Sequence, residues 1–588
     1  MTSVKELNIT IDGNAITVPA GTTIMQAADR LKIHIPRLCY HPHLSTVGAC
    51  RVCLVEIEGM RKPVTACNYA VAEGMKIITN SPRLRQLRRN VVEMILNNHP
   101  EDCQTCERNT NCELQKLAFE LGIRDRRFNY SPRMNKKIDA SSPAIIRNPE
   151  KCIACSRCIR ICSEVQGVSN LSFIHRGTKM VVAPAFESPM SESVCVHCGQ
   201  CAAVCPTAAI IENSQADKVI AALQDPKKFV VVQPAPAIRA TIGEGFGYPV
   251  GSYVTGKLVT ALKRIGFDKV FDTNFSADLT IMEEATEFIT RFTKGGVLPL
   301  ITSCSPGWIN FMEHFFPEMI PNISTCKSPM SMLSPVLKTY YAQKMGIDPK
   351  DMYVVAIMPC TAKKYEAQRP EHMAPEGYPY TDAVLTTREA IWLMKTYGID
   401  FKNLPESEFD SPLGTSSGAG DIFGASGGVM EAALRTAYEK ITGETCPDLN
   451  FTAVRGIQGS KECTVDIKGT KVNIAVTNGL QNAKELLLKV RNHEKEYQFI
   501  EIMACPGGCI GGGGQPYPSQ GYCLMDEELL QKRAQALYTI DAEKTLRKSH
   551  ENPDIQKLYA EFLGEPNSEK AHELLHTHYH EQTPRGII

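Results

Sequence analysis

The residues best suited to chemistry in this sequence are thiols. The 588 residues include 23 cysteines, and fifteen of them precede Pro206. They fall in tight groups, which disulfide scaffolding would not produce. The N-terminus "MTSVKELNITIDG" has no signal-peptide pattern, so the chain is expected in the cytoplasm, where reduced thiols bind metal. The last group sits in "MACPGGCIGGGGQP", residues 503–516, with Cys505 and Cys509 inside a run of glycine. Such a run loses more backbone freedom on folding than any other composition. It predicts that Gly507, Gly508 and Gly511 to Gly514 let backbone amides approach a bulky anionic inorganic group held by the two sulfurs.

Four further groups lie upstream. Cys39, Cys50, Cys53 and Cys67 resemble the plant-type ferredoxin set for a 2Fe–2S cluster, with a longer first spacing than C-x4-C. His99, Cys103, Cys106 and Cys112 form H-x3-C-x2-C-x5-C, a set that fits zinc or a 4Fe–4S cluster. Neighbouring electron carriers favour the cluster. "KCIACSRCIRICSEVQG" and "VCVHCGQCAAVCPTAAI" are two copies of C-x2-C-x2-C-x3-C, the bacterial two-cluster ferredoxin run, in which the fourth cysteine of each copy crosses to the other cluster. Cys152, Cys155, Cys158 and Cys205 are therefore expected around one cube, and Cys195, Cys198, Cys201 and Cys162 around the other. One 2Fe–2S and three 4Fe–4S clusters in series make a wire.

The elements that must position these groups follow from pattern. Residues 1–80 read as a β-grasp ferredoxin-like unit, with two strands, a turn at Asp12-Gly13 and a helix capped near Thr22–Thr23. Residues 81–140 carry the set of one histidine and three cysteines, a 4Fe–4S domain, and 141–224 the two-cluster ferredoxin unit. From 225 to 588 short apolar strands alternate with helices, the pattern of a large α/β domain. The whole is an α+β multidomain chain. Three thiol sites follow predicted strands: Cys304 after "GGVLPLIT", Cys360 after "MYVVAIM", and Cys505 with Cys509 after "YQFIEIM". Ligands of open α/β sheets sit at the carboxyl ends of strands, so these four cysteines are expected to meet at one further 4Fe–4S cube. Gln233 opens another segment after a strand, and Lys363 is placed to give a cationic hydrogen bond to an anionic group. Lysine plus arginine equals aspartate plus glutamate at 64 each, which points to no nucleic-acid or membrane partner. The longest apolar runs are too short to cross a bilayer.

Three stretches resemble iron-only (FeFe) hydrogenases: "TSCSPGW" at 302–308, "MPCTAKKYE" at 358–366 and "EIMACPGGCIGGGGQP" at 501–516. The order of the N-terminal groups is similar as well. The resemblance implies an H-cluster, a 4Fe–4S cube joined to a two-iron unit, that interconverts protons and H₂. It implies that Cys304, Cys360, Cys505 and Cys509 hold the cube, with Cys509 bridging. It places Lys363, Met358, Met503, Ala235 and Pro236 around the two-iron unit. The family has two adjacent cysteines where this sequence has Cys304-Ser305. Cys304 is assigned to the iron and Ser305 to proton transfer, and the reverse alignment remains open. A relay of Glu284, Glu287, Arg291 and Ser324 is also implied, the first three on one helical face. Cys326, Cys446, Cys463 and Cys523 have no ligand partners at useful spacing.

The resemblance further implies electron partners, either ferredoxin or flavin- and NAD(P)-binding subunits with iron–sulfur clusters. No dinucleotide fingerprint occurs in the chain, so NAD(P) would need a second subunit, and the complex-forming type is the expected one. The rivals are a free-standing ferredoxin-dependent hydrogenase, a non-catalytic iron–sulfur subunit, a hydrogen sensor and a zinc protein. No signalling segment is expected after "LLHTHYHEQTPRGII".

Overall fold

The computed structural model describes residues 5–125, 127–128, 137–467, 469–519 and 521–582. The last six residues of the closing stretch quoted above thus lie outside the described residues. The first unit is a five-stranded sheet in the order Asn14–Pro19, Glu6–Ile11, Lys76–Ile78, Leu54–Ile57, Val64–Thr65. Its opening hairpin turns at Asp12 and Gly13, both at positive φ (48° and 83°), as two-residue hairpin turns require. Helix Ile24–Arg30 starts at Thr23, whose side chain and Gln26 form a capping box. Helix Pro82–Leu96 is tied to this sheet by Arg88, which donates to the Thr79 carbonyl at 2.8 Å.

The two cysteine-rich runs that follow share one backbone device. Ala154 and Ser156 have φ of 56° and 60°, and His197 and Gly199, at the same places in the second copy, have 57° and 68°. These left-handed turns fold each C-x2-C-x2-C around a point before the short helices Arg157–Arg160 and Gln200–Ala203. Strands Ile145–Arg147 and Ile210–Glu212 pair antiparallel and close the unit.

The large C-terminal part contains two four-stranded sheets. One is fully parallel, in the order Lys269–Val270, Phe229–Pro234, Met352–Met358, Ala383–Thr386. In the other, Leu300–Ile301, Phe499–Met503 and Thr470–Asn478 are parallel, and Ser460–Ile467 is added antiparallel at the edge. The inner strands are buried along almost their whole length, as parallel strands covered by helices must be. Helix Thr273–Lys294 runs through this part. Most of its residues down to Phe288 are buried, including Asp278, Glu283, Glu284 and Glu287. No helix among the described residues is long and apolar enough to cross a membrane.

The glycine run is also packed against protein backbone. A Cβ on Gly511 would lie 2.0 Å from the Pro506 carbonyl, on Gly512 2.2 Å from that of Pro359, and on Gly513 2.2 Å from that of Cys198. These hydrogens face neighbouring backbone, so the missing side chains serve close packing of protein against protein. Gly508, at φ 94°, is likewise pressed on the Ser426 amide. Gly513→Ala is expected to destabilise the fold by about 1–3 kcal/mol through overpacking. Gly443→Asn, at an open left-handed position where asparagine is tolerated, should stay within about 0.5 kcal/mol. Chemical denaturation of the two variants checks this, and equal midpoints would contradict it.

Candidate active site and its electron path

Each expected cysteine group comes together in space. Cys50 N–H lies 3.5 Å from Cys39 Sγ, and the thiols of Cys53 and Cys67 are hydrogen-bonded neighbours. Cys103 and Cys112 both feel the charge of Cys106, and the Cys112 thiol reaches the Pro206 carbonyl at 3.6 Å. That contact sets this group beside the end of the second ferredoxin run. One cavity is lined by Cys152, Cys155, Cys158 and Cys205. A second is lined by Cys162, Cys195, Cys198 and Cys201. Each thus takes three cysteines from one run and one from the other.

The second cavity abuts the loop after strand Phe499–Met503. The Cys198 and Cys505 thiols are electrostatic neighbours. Gln200 Nε2 donates to the Gly511 carbonyl at 2.9 Å, and Thr361 Oγ1 to that of His197 at 2.7 Å. Gly199 has room only for hydrogen, because a Cβ would sit 2.3 Å from Thr361 Oγ1. Neither Gln200 nor Thr361 stood out in the sequence, since a polar side chain donating to a distant backbone has no local signature.

Four strand ends supply the site itself. Ala235 and Pro236 follow Phe229–Pro234, and the Ala235 amide still pairs with the Ile357 carbonyl at 2.9 Å. Met358 and Met503 are the last residues of their strands, and both are buried. Cys360, Cys505 and Cys509 are mutual electrostatic neighbours. Burial pushes the thiols of Cys505 and Cys509 up to about 12, so a positively charged centre is needed to make them thiolates. Lys363 is buried here. Its ammonium donates to Ser328 Oγ at 2.6 Å and to the Cys304 carbonyl at 3.2 Å, and it pairs with Glu366 at 2.7 Å.

Cys304 and Ser305 diverge. The charges acting on Cys304 come first from Glu284, then from Cys509, Glu501 and Lys363. Ser305 Oγ instead accepts the Ala504 N–H at 3.2 Å, next to Cys505. Ser305 is extended (φ −103°, ψ 102°), and successive side chains of extended backbone point to opposite sides.

Glu284, Glu287 and Ser324 cluster behind Cys304. Both carboxylate oxygens of Glu284 are buried without a completed hydrogen bond. Burial, and then the charge of Glu287, push its carboxyl up to about 8. Ser324 Oγ donates to Glu287 Oε2 at 2.7 Å, and Arg291 Nη2 to Glu287 Oε1 at 2.6 Å. Glu501, also missed in the sequence, accepts the amides of Gly427 and Met430 at 2.6 and 2.7 Å. It so anchors the start of helix Gly428–Thr442 beside the loop.

Comparison with known proteins agrees with this arrangement. Residues 228–513 match the family described as "Iron only hydrogenase large subunit, C-terminal domain", and 527–582 match "Iron hydrogenase small subunit". The chain is 50% identical over 585 residues to the NADP-reducing hydrogenase subunit HndD of Solidesulfovibrio fructosivorans, covering 97% of this chain and 98% of that protein. The chain belongs to the iron-only hydrogenases. It is also 40% identical over 572 residues to iron hydrogenase 1 of Clostridium pasteurianum, covering 97% of this chain and 99% of that one. A solved structure of apo FeFe-hydrogenase HydA1 from Chlamydomonas reinhardtii superposes with TM-score 0.57 at 45% identity, covering 63% of this chain and 99% of that one. Upstream, residues 4–82 match a 2Fe-2S iron-sulfur cluster binding domain. Residues 88–127 match the NADH-ubiquinone oxidoreductase-G iron-sulfur binding region, and 142–211 the ferredoxin-like domain of NADH-quinone oxidoreductase subunit 3. This hydrogenase catalyses reversible hydrogen oxidation and proton reduction, with electrons carried by iron–sulfur domains.

The raised Glu284 carboxyl has a consequence for stability. A carboxyl raised from 4.5 to about 8 binds its proton more tightly in the folded state. Its contribution is therefore complete below about pH 4.5 and is lost as pH climbs through about 8. Glu284→Gln removes that loss. The thermal midpoint of the wild-type hydrogenase should fall relative to Glu284→Gln between about pH 5 and pH 8, and parallel curves would contradict the raised value.

Proposed function

We propose that this hydrogenase is the catalytic subunit of an NAD(P)-linked complex, of the type some of whose members bifurcate electrons. Its partners would be flavin- and NAD(P)-binding subunits with iron–sulfur clusters. The likeness to an NADP-reducing hydrogenase subunit along 97% of the chain supports this, as do the two NADH-dehydrogenase-type regions ahead of the catalytic domain. The second reading, a free-standing ferredoxin-dependent enzyme, is supported by the likeness to iron hydrogenase 1.

The assignment of clusters is part of the proposal. One 2Fe–2S cluster lies on Cys39, Cys50, Cys53 and Cys67. 4Fe–4S clusters lie on His99 with Cys103, Cys106 and Cys112, and in the two cysteine-lined cavities. The observation that carries the functional reading is the junction of Cys198 with Cys505, where the last carrier meets the loop of the catalytic thiols. The chemistry of the donor set fits an H-cluster: three thiols, that of Cys505 buried and those of Cys360 and Cys509 half-buried, beside a buried lysine at the ends of four strands. When bound, that group supplies the metal centre at which H₂ is formed or split. Cys360, Cys505 and Cys509 would hold its cube, and Met358, Met503, Ala235 and Pro236 would keep water from its surroundings.

The sequence assigned Cys304 to the cube and Ser305 to protons. The side-chain directions support the reverse. Cys304 is the thiol on which the Glu284 charge acts most and could pass its proton to that carboxyl, while Ser305, on the Ala504 amide next to Cys505, would stand on the side of the cube. Glu284, kept neutral at pH 7, can give or take a proton without leaving a buried charge. Ser324 then links it to Glu287.

Loaded Cys304→Ala should keep its cyanide and carbon monoxide infrared bands and lose turnover. Loss of the bands in Cys304→Ala, with full bands in Ser305→Ala, would restore the first assignment. Glu284→Gln should cut H₂ evolution and uptake alike by roughly 10²–10⁴-fold, with Thr290→Ala on the same helix near normal. Untagged purification tests the complex: flavin and further subunits should co-elute, and a lone chain that reduces no pyridine nucleotide would favour the free-standing reading.

A further inference from the structure

Two upstream units meet the first ferredoxin-like cavity, and one turn of helix touches both. Helix Arg157–Arg160 carries Cys158, which lines that cavity with Cys152, Cys155 and Cys205. At its start Arg157 donates to Glu113 Oε1 at 2.6 Å and to Oε2 at 2.9 Å. Glu113 follows Cys112, so this arginine ties down the unit of His99 and its three cysteines, and its charge is paired. At the end of the helix Arg160 turns to the other unit. Its Nη2 donates to the Cys39 carbonyl at 2.5 Å and to that of Cys155 at 3.3 Å, and its Nη1 to the Ser45 carbonyl. One nitrogen thus touches a member of the 2Fe–2S set and a member of the first cube's set.

Arg160 is an uncommon kind of buried guanidinium. It is 5% exposed, all three of its acceptors are carbonyls, and its Nε is buried with no partner. The carboxylate whose charge it feels, Glu164, is turned to Ser45, accepting the Ser45 amide at 2.8 Å and the hydroxyl. Burial works against the charge of Arg160. What favours it is first Cys155, then Cys39, and only then Glu164. An unpaired buried ion is costly, and arginine does not shed its proton to escape that cost. The compensating charge has to come from the two thiol sets, which are anionic when they hold iron–sulfur clusters.

The 2Fe–2S unit is docked by other contacts. Leu44 is buried in the core of the ferredoxin-like unit, together with Leu524. Ser45 is held by Glu164, and His43 Nε2 lies 2.7 Å from Asp526 Oδ1. The loop after Cys39 is therefore seated without help from a charge at position 160.

We propose that Arg160 is the electrostatic joint of the wire: one fixed cation, shared by the 2Fe–2S cluster and the first cube, raises the reduction potentials of both. This rests on the cluster assignment made above. A cluster gains one negative charge when it takes up an electron, and a buried cation attracts that charge far more strongly than one in water. Cluster potentials follow the charge, hydrogen bonding and exposure of their surroundings. When an electron crosses, one cluster is oxidised by one electron and the other reduced by one. No proton moves, and the guanidinium stays charged throughout. The two carbonyls on Nη2 make the same residue a hydrogen-bonded link across the joint.

The test is a redox titration of the loaded full-length hydrogenase followed by electron paramagnetic resonance, with the first cube's signal assigned by its loss in Cys158→Ala. Arg160→Gln keeps a hydrogen-bond donor and removes the charge. It should make both the 2Fe–2S cluster and the first cube roughly tenfold harder to reduce, about 59 mV for a one-electron couple. The cluster on the His99 set, which is held by Arg157, should not move. Arg160→Lys keeps the charge and should leave both potentials near wild type. Unchanged potentials in Arg160→Gln, or a shift of only one of the two clusters, would overturn the proposal. So would an Arg160→Lys variant as low as Arg160→Gln, because the residue would then be a structural clamp. If Arg160→Gln does not load its clusters, Arg160→Met decides, since an apolar residue of similar length replaces a buried ion at little cost. Unshifted potentials in Arg160→Met, or clusters lost from both uncharged variants, would overturn the proposal. Failure of the cluster assignment itself would show differently, as absence of the 2Fe–2S or 4Fe–4S signals in the wild type.

Discussion

The structure turns on one close approach. The backbone of Cys198 and Gly199 lies against Gly513, where a Cβ would sit 2.2 Å from the Cys198 carbonyl, and Gly199 is in turn pressed on Thr361. This contact joins the last ferredoxin-like cavity to the loop that carries Cys505 and Cys509. Electron transfer between buried centres needs them near each other, and nearness here is set by backbone packing rather than by long side chains. Gln200 and Thr361 close the same seam with hydrogen bonds to carbonyls on the opposite side. The glycines therefore cost conformational freedom to keep two domains in register, and the thiols follow.

Proton movement depends on a second constraint, a long helix rich in buried acid. Helix Thr273–Lys294 would be unstable if its carboxylates were left unpaired. Asp278 accepts Ser417, Ser549 and Asn552. Asp272, at the helix start, pairs with Arg239, which also meets Asp421. Glu283 accepts from the Tyr559 hydroxyl and the Asn567 amide, and Glu287 has the partners described above. Glu284 is the least tightly held of this series, with Ser324 and the Ser303 amide its nearest donors, and its charge is the largest acting on Cys304. A satisfied network of this kind holds the helix rigid while leaving one acid free to exchange.

Much of this was legible in the sequence because cysteine spacing is a short-range code. The crossed cysteine sets that line the two cavities, the strand-end placement of Cys360 and Cys505, and the parallel sheets all follow from local pattern. The capping box at Thr23 and the turn at Asp12-Gly13 did as well. What was not legible was direction and distance. Nothing local says whether Cys304 or Ser305 faces the relay, since alternation in extended backbone depends on where the strand ends. The glycine run was read as facing a ligand, and its packing against backbone segments up to several hundred residues away in sequence left no local trace.

The central claim is that iron–sulfur centres line up across the Cys198–Gly513 seam into the strand-end site. Iron-edge anomalous diffraction from the loaded protein tests it most directly. The account predicts separate iron peaks in the cavity of Cys152, Cys155, Cys158 and Cys205, in that of Cys162, Cys195, Cys198 and Cys201, and among Cys360, Cys505 and Cys509. No iron peak in the second cavity, or scattering there at the zinc edge instead, would contradict it.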